Sequence, residues 1–239
     1  PKDSRIEVFN PYWTSQTVST SKATKENKEP SHAGNEGGSS VWYRFEAPYN
    51  GVLTVDILES GFDTLMGMYI GSSVADLAEI ASNDDAFKDI ELEFDPGISQ
   101  LHQPLEKGMV VYIAVDGYGG ETGNVAVRSQ FQTNSVYRLL LNINGDGSLA
   151  LPYQPFRDKA GNPYSIHQDN ETVLLEALPA DGGRFFGWSG DVNILDKKFS
   201  LTISDEYNIT ANFVENRGVY GFEDWDAKAD FRWSTNDDA

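Results

Sequence analysis

The chain has 239 residues, of which 39% are hydrophobic and 12% aromatic. That is apolar mass for two cores of about 100 residues each, and it excludes disorder throughout. With 18 basic and 37 acidic residues the formal charge is −19, which disfavours nucleic acid and anionic membrane surfaces and favours cations such as Ca²⁺. The chain contains no cysteine, so disulfides, thiolate zinc sites and cysteine nucleophiles are excluded.

No apolar run reaches the ~20 residues that a membrane-spanning helix needs, so membrane insertion is not expected. The opening Pro1-Lys2-Asp3-Ser4 has no initiator Met and no apolar stretch, and it reads as the start of an excised fragment or as a mature cut site. The stretch from Thr14 to Lys28 is polar and reads as a linker or as an edge strand laid on a sheet. Strands follow at residues 41–45 and 52–57, joined by the turn Tyr49-Asn50-Gly51. In the second strand Leu53, Val55 and Ile57 are expected to face a core and Thr54 and Asp56 to face outward. Residues 73–80 are the best candidate for a short helix or turn.

Further strands are expected at residues 65–70, 90–94, 109–115 and 125–129. Between them lie Gly71-Ser72-Ser73, Asn83-Asp84-Asp85, Asp95-Pro96-Gly97 and the Gly-rich stretch from Gly117 to Gly123, read as a loose hairpin. A second series begins after Thr133-Asn134, with strands at 137–143, 173–177, 184–188, 199–203 and 208–213. Asn144-Gly145-Asp146-Gly147 reads as a hairpin turn. Phe199, Leu201 and Ile203, then Ile209, Ala211 and Phe213, keep one parity, the pattern of a half-buried sheet. The fold class is therefore all-β: a jelly-roll-like sandwich over residues 1–132, a second small β module over 133–216, and a tail over 217–239 that either docks or opens a further module.

Ordered blocks within residues 20–130 resemble the bacterial pre-peptidase C-terminal domain. They are Ser40-Val41-Trp42-Tyr43-Arg44-Phe45-Glu46-Ala47-Pro48, then Gly61-Phe62-Asp63-Thr64-Leu65, Tyr69-Ile70-Gly71, Ala81-Ser82-Asn83-Asp84-Asp85 and Gly108 to Tyr118. The resemblance implies a non-catalytic accessory sandwich of secreted proteins, some members of which bind Ca²⁺ and fibrous substrate. The second series resembles the B-repeat modules of internalin-like surface proteins, through Tyr137 to Ile143, Gly182-Gly183-Arg184-Phe185-Phe186-Gly187-Trp188-Ser189-Gly190-Asp191 and Asn208 to Phe213. That likeness implies an extracellular spacer, with an insertion at residues 156–168 longer than usual.

Asp84 and Asp85, with Asp63 or Asp116 brought near by the sandwich, could hold Ca²⁺, which takes six to eight oxygens. The competing and favoured reading is that these side chains accept backbone N–H groups and shape turns. Glu26, Glu29 and Glu36 are further candidates, suggested by calcium-binding relatives. The loop at Asn142 to Gly147 begins like an EF-hand but places Tyr153 where the bidentate Glu belongs. Gly187-Trp188-Ser189-Gly190-Asp191 lacks the last Gly of a nucleophile elbow, and His32, His102 and His167 are all read as loop residues. No catalytic residue is assigned. Trp42 and Trp188 are read as core, and Tyr118, on a loop, as the freest aromatic for a ligand.

The expectation is a non-catalytic accessory or spacer region of a larger secreted or cell-surface bacterial protein, contributing adhesion, with no certain cofactor. Its partners would be neighbouring domains of the same polypeptide. The alternative is a Ca²⁺-dependent polysaccharide- or protein-binding module of an extracellular hydrolase. A hydrolase proper would require a cleft holding a carboxylate pair, or a Ser with a His in hydrogen-bond reach.

Overall fold

The computed structural model describes residues 7–8, 14–86, 99–150 and 156–215. In chain order the strands are β1 (Glu7–Val8), β2 (Thr14–Ser19), β3 (Val41–Glu46), β4 (Gly51–Ser60), β5 (Thr64–Ile70), β6 (Ala78–Asn83), β7 (Gln100–Leu105), β8 (Val110–Gly117) and β9 (Asn124–Thr133). They continue as β10 (Val136–Asn144), β11 (Gly147–Ala150), β12 (Phe156–Arg157), β13 (Pro163–Gln168), β14 (Thr172–Pro179), β15 (Gly183–Gly190), β16 (Lys198–Thr202) and β17 (Tyr207–Glu215). The protein is all-β, with two short 3₁₀ turns as its only helical pieces among the described residues. Among the described residues no helix is long and apolar enough to cross a membrane.

The chain divides into two compact units. The first comprises residues 1–139, 153–171 and 203–206, and the second residues 140–152, 172–202 and 207–239. In the first unit two sheets, ordered β1-β3-β8-β5-β6 and β2-β9-β4-β7, enclose one interior. Alternate residues supply it: Tyr43 and Phe45 from β3, Met66 and Met68 from β5, and Ile113 and Val115 from β8 meet Leu53, Val55 and Ile57 of β4 and Val125, Val127 and Phe131 of β9. Period-two alternation places every second side chain on one face, so these apolar sets can only point the same way. Phe45 and Phe131 touch across the interior at 5.0 Å between ring centres.

Connections in this unit mostly cross from one sheet to the other. β3 leads to β4, β4 to β5, β6 to β7, β7 to β8 and β8 to β9 by changing sheet, whereas β5–β6 and β12–β13 join neighbours. The Gly117–Gly123 stretch is therefore a crossing between β8 and β9, not a hairpin as the glycines suggest. The expected short helix at 73–80 is reduced to a 3₁₀ turn, Val74–Asp76, inside the β5–β6 hairpin, and β6 starts directly after it. The polar segment after Thr14 forms an edge strand, with β2 pairing antiparallel to β9. Asp56 does not face solvent: it lies opposite Arg128 in the β4–β9 ladder, which covers it through two bonds of 2.8 and 2.7 Å. The strand expected at 90–94 and the tail from 217 lie outside the described residues.

In the second unit β11-β14-β16 form one sheet, and β17 runs between the later part of β10 and β15. Its interior holds Leu141, Val173, Leu175, Ala177, Leu201, Ile209, Ala211 and Phe213 around Trp188, which is 2% exposed. Trp188 meets Phe185 and Phe199 edge-on at 5.5 and 5.4 Å. Asn144-Gly145-Asp146-Gly147 is not a hairpin turn either. It carries the chain from β10 to β11, which pairs with β14 in the other sheet.

Candidate functional site

The acidic residues singled out by sequence fall around the β8–β9 crossing and the end of β6. Asp116 is wholly buried, and its carboxylate accepts the N–H groups of Gly38 (2.9 Å), Ser39 (2.8 Å) and Gly117 (2.8 Å). It thus ties the lead-in loop onto β8. Asp63 meets the same crossing through its backbone: Tyr118 N donates to Asp63 O at 2.9 Å, and Asp63 N donates to Glu121 Oε2 at 3.2 Å. Asp84 and Asp85 follow β6 and enter through their carbonyls, Asp84 O accepting the Ser99 hydroxyl at 3.1 Å and Asp85 O the Asn83 amide at 3.3 Å. Among the described residues no three His, Asp or Glu side chains come together as a metal site. Tyr118 is 49% exposed in the turn after β8.

The Glu29 side chain is buried and bound locally. Its carboxylate accepts the Glu26 N–H at 2.7 Å and lies 3.0 Å from His32 Nε2. The other ring nitrogen, Nδ1, stands 2.6 Å from the Tyr69 hydroxyl, which also reaches Glu79 Oε2 at 3.2 Å. Trp42 packs edge-on against this His32 ring at 5.5 Å. Burial pushes the Glu29 carboxyl up, but His32, the Glu26 N–H and Ser40 outweigh it and hold the group below the usual carboxylate value. Glu36 offers its carbonyl to Lys25 Nζ, and Glu26 contributes its N–H to Glu29.

One cleft of about 320 Å³ opens in the first unit, lined by His102, Gln103, Phe156, Ser165, His167 and Glu171 among others. It is built on β13. Ser165 and His167 are two apart on that strand and share a face, so Ser165 Oγ and His167 Nε2 stand at 2.8 Å. The turn after β13, with Asn170 at φ +64°, brings back Glu171, whose Oε1 lies 2.7 Å from His167 Nδ1 and whose Oε2 accepts the Gln168 N–H at 2.9 Å. The Glu171 carboxyl is pushed up by burial, yet His167 and the Gln168 N–H hold it below its usual value. An ionised Glu171 keeps the proton on Nδ1 and leaves Nε2 to accept from Ser165, the order of a nucleophile, its base and the group that orients the base. The Ser165 residue is only 5% exposed, and the side-chain amide of Gln103 is bound to Pro104 O at 3.0 Å rather than aimed at an oxyanion.

No protein-family model matches the chain, and no curated protein does. Among solved structures it is similar to the pre-peptidase C-terminal domain of a collagenase from Bacillus anthracis, at 11% identity and a TM-score of 0.35, over 54% of this chain and 99% of that one. It is similar also to a periplasmic inhibitor of g-type lysozyme from Aeromonas hydrophila, at 14% identity and a TM-score of 0.32, over 53% of this chain and 97% of that one. Likeness at this level is no basis for carrying over an activity.

Sequence reasoning missed the cleft. Two of the three histidines stand on strands rather than in loops, His102 on β7 and His167 on β13, while His32 lies as expected in the loop between β2 and β3 but is buried there. The serine in reach of a histidine is Ser165, not Ser189. The signal was present as Ser-x-His on a strand period with Glu four residues further on, but it sat inside a segment read as an insertion.

Proposed function

We propose that the chain is a non-catalytic accessory region of a larger secreted or cell-surface bacterial protein. The first unit serves as a pre-peptidase C-terminal-like sandwich and the second as a B-repeat-like spacer. Together they hold neighbouring domains of the same polypeptide apart and add adhesive contact. The observation that supports this best is where the candidate groups are spent: Asp116 is turned onto three backbone N–H groups, and the strand faces of both units are filled inward. Purified protein should show no turnover on a panel of chromogenic esters, peptides and glycosides; turnover that follows the protein through purification overturns the reading. A structural Ca²⁺ should raise the melting temperature in excess Ca²⁺ over EDTA, and equal melting disposes of that ion.

A second reading rests on the 2.8 and 2.7 Å links of Ser165, His167 and Glu171. In it Ser165 Oγ attacks an ester carbonyl, its proton passes to His167 Nε2 and then to the departing alkoxide, and water releases the acyl group by the reverse relay. Labelling of Ser165 by a fluorophosphonate, lost in Ser165→Ala and in His167→Ala, would establish it. No labelling of the folded protein removes it.

A further inference from the structure

The outer face of β10, β17 and β15 in the second unit carries amides and hydroxyls and no charge along its middle. Asn142 and Asn144 stand on β10, Asn208, Thr210 and Asn212 on β17, and Ser189 on β15. They are bonded to one another. Asn142 Nδ2 donates to Asn208 Oδ1 at 2.7 Å, Asn144 Nδ2 to Asn212 Oδ1 at 3.0 Å, and Asn212 Nδ2 to Ser189 Oγ at 2.9 Å and to Gly187 O at 3.0 Å. The links leave hydrogen-bonding capacity pointing outward, since Asn208 still has both N–H groups and Asn142 and Asn144 still have their oxygens. Beside them the bulge in β15 presents Phe186, 61% exposed, and Leu195 rests against Gly187 while itself 78% exposed.

We propose that this face binds an uncharged polysaccharide. An amide offers a donor and an acceptor side by side, and a sugar hydroxyl is both, so a row of amides matches a row of hydroxyls. Because the amides already hold one another in place, little side-chain freedom is lost on binding. An exposed ring gives an apolar sugar face something to rest on with few rotatable bonds to freeze. Charge decides against the alternatives. A polyanion meets one cation, Arg184 at the end of this face, and a chain of net charge −19 around it. A cationic partner would be drawn to the acidic surface elsewhere. Strand addition by a peptide is opposed because the free edge of β15 is already bridged at Trp188, whose N–H donates to Ile194 O at 2.8 Å.

The inference rests on the accessory reading only in expecting an extracellular polymer. The test is retention of the full chain on microcrystalline cellulose, chitin and starch granules, with alginate beads as the anionic comparison. Retention on at least one neutral polymer is expected, weakened at least tenfold by Phe186→Ala and by Asn142→Ala with Asn208→Ala. Thr210→Glu, which places a charge on the face without removing any of these amide links, is expected to weaken it as much; melting curves check that each variant is folded. No retention on any neutral polymer overturns the proposal, as does retention on alginate alone or retention unchanged in folded variants. Enzymatic turnover by the chain would undo the accessory reading and leave this result standing.

Discussion

At the scale of single residues, buried carboxylates do structural duty. Asp116 answers three N–H groups, and the lead-in loop fits over it only because Gly37 sits at φ +58° with no Cβ; a Cβ there would collide with the Asp116 carboxylate. Asp116→Ala orphans one buried and two partly buried donors and is expected to cost about 2 to 3 kcal/mol, read as a lower urea midpoint at unchanged slope. Glu29 makes a pH-dependent contribution. Its folded pKa is depressed, so the stabilisation is full above the ordinary value of 4.5 and fades as pH falls through the folded value. The stability gap between the parent and Glu29→Gln is expected to narrow as pH falls from about 6 to about 3; a gap that stays constant across urea titrations would show the carboxylate is not linked to folding.

At the scale of elements, most of the strands that sequence reasoning missed are sheet edges, β13 being the exception with β12 on one side and β10 on the other. β6 and β7 each stand at one end of their sheets. An edge strand has only one neighbour and less apolar surface to bury, so its alternation is weak. β7 even includes Pro104, tolerated where one side of the ladder has no strand to receive an N–H. Turn chemistry misled for a related reason. Gly and Asn report positive φ, not which sheet the next strand joins. Gly145, at φ +90°, lies against the carbonyl of Phe213, so the β10–β11 corner depends on it. Gly145→Ala is expected to lower the stability of the second unit by about 2 kcal/mol or more, through the forbidden φ and the collision together, followed by Trp188 fluorescence during unfolding.

At the scale of the whole molecule, charge is the dominant long-range term. A net charge of −19 repels itself in the compact state, and salt screens that repulsion over about 10 Å at 0.1 M. The melting temperature is expected to rise when NaCl goes from about 0.01 to about 0.15 M; a fall would mean that attractive pairs such as Arg128–Asp56 and Arg138–Glu106 outweigh the net repulsion.

The amino-acid sequence by itself determined the all-β class, most of the central strands and the inward faces of β4 and β17, because period-two alternation is a local property. Trp42 and Trp188 are read as core from the family-like blocks in which they stand, and both are buried. Only the tertiary structure decided which strand crosses to which sheet, that Asp116 is consumed by a loop 77 and 78 residues away in sequence, and that Ser165, His167 and Glu171 meet at one cleft. Those outcomes depend on closing long segments against one another, and the energy that selects them belongs to the packed interior rather than to any stretch of chain.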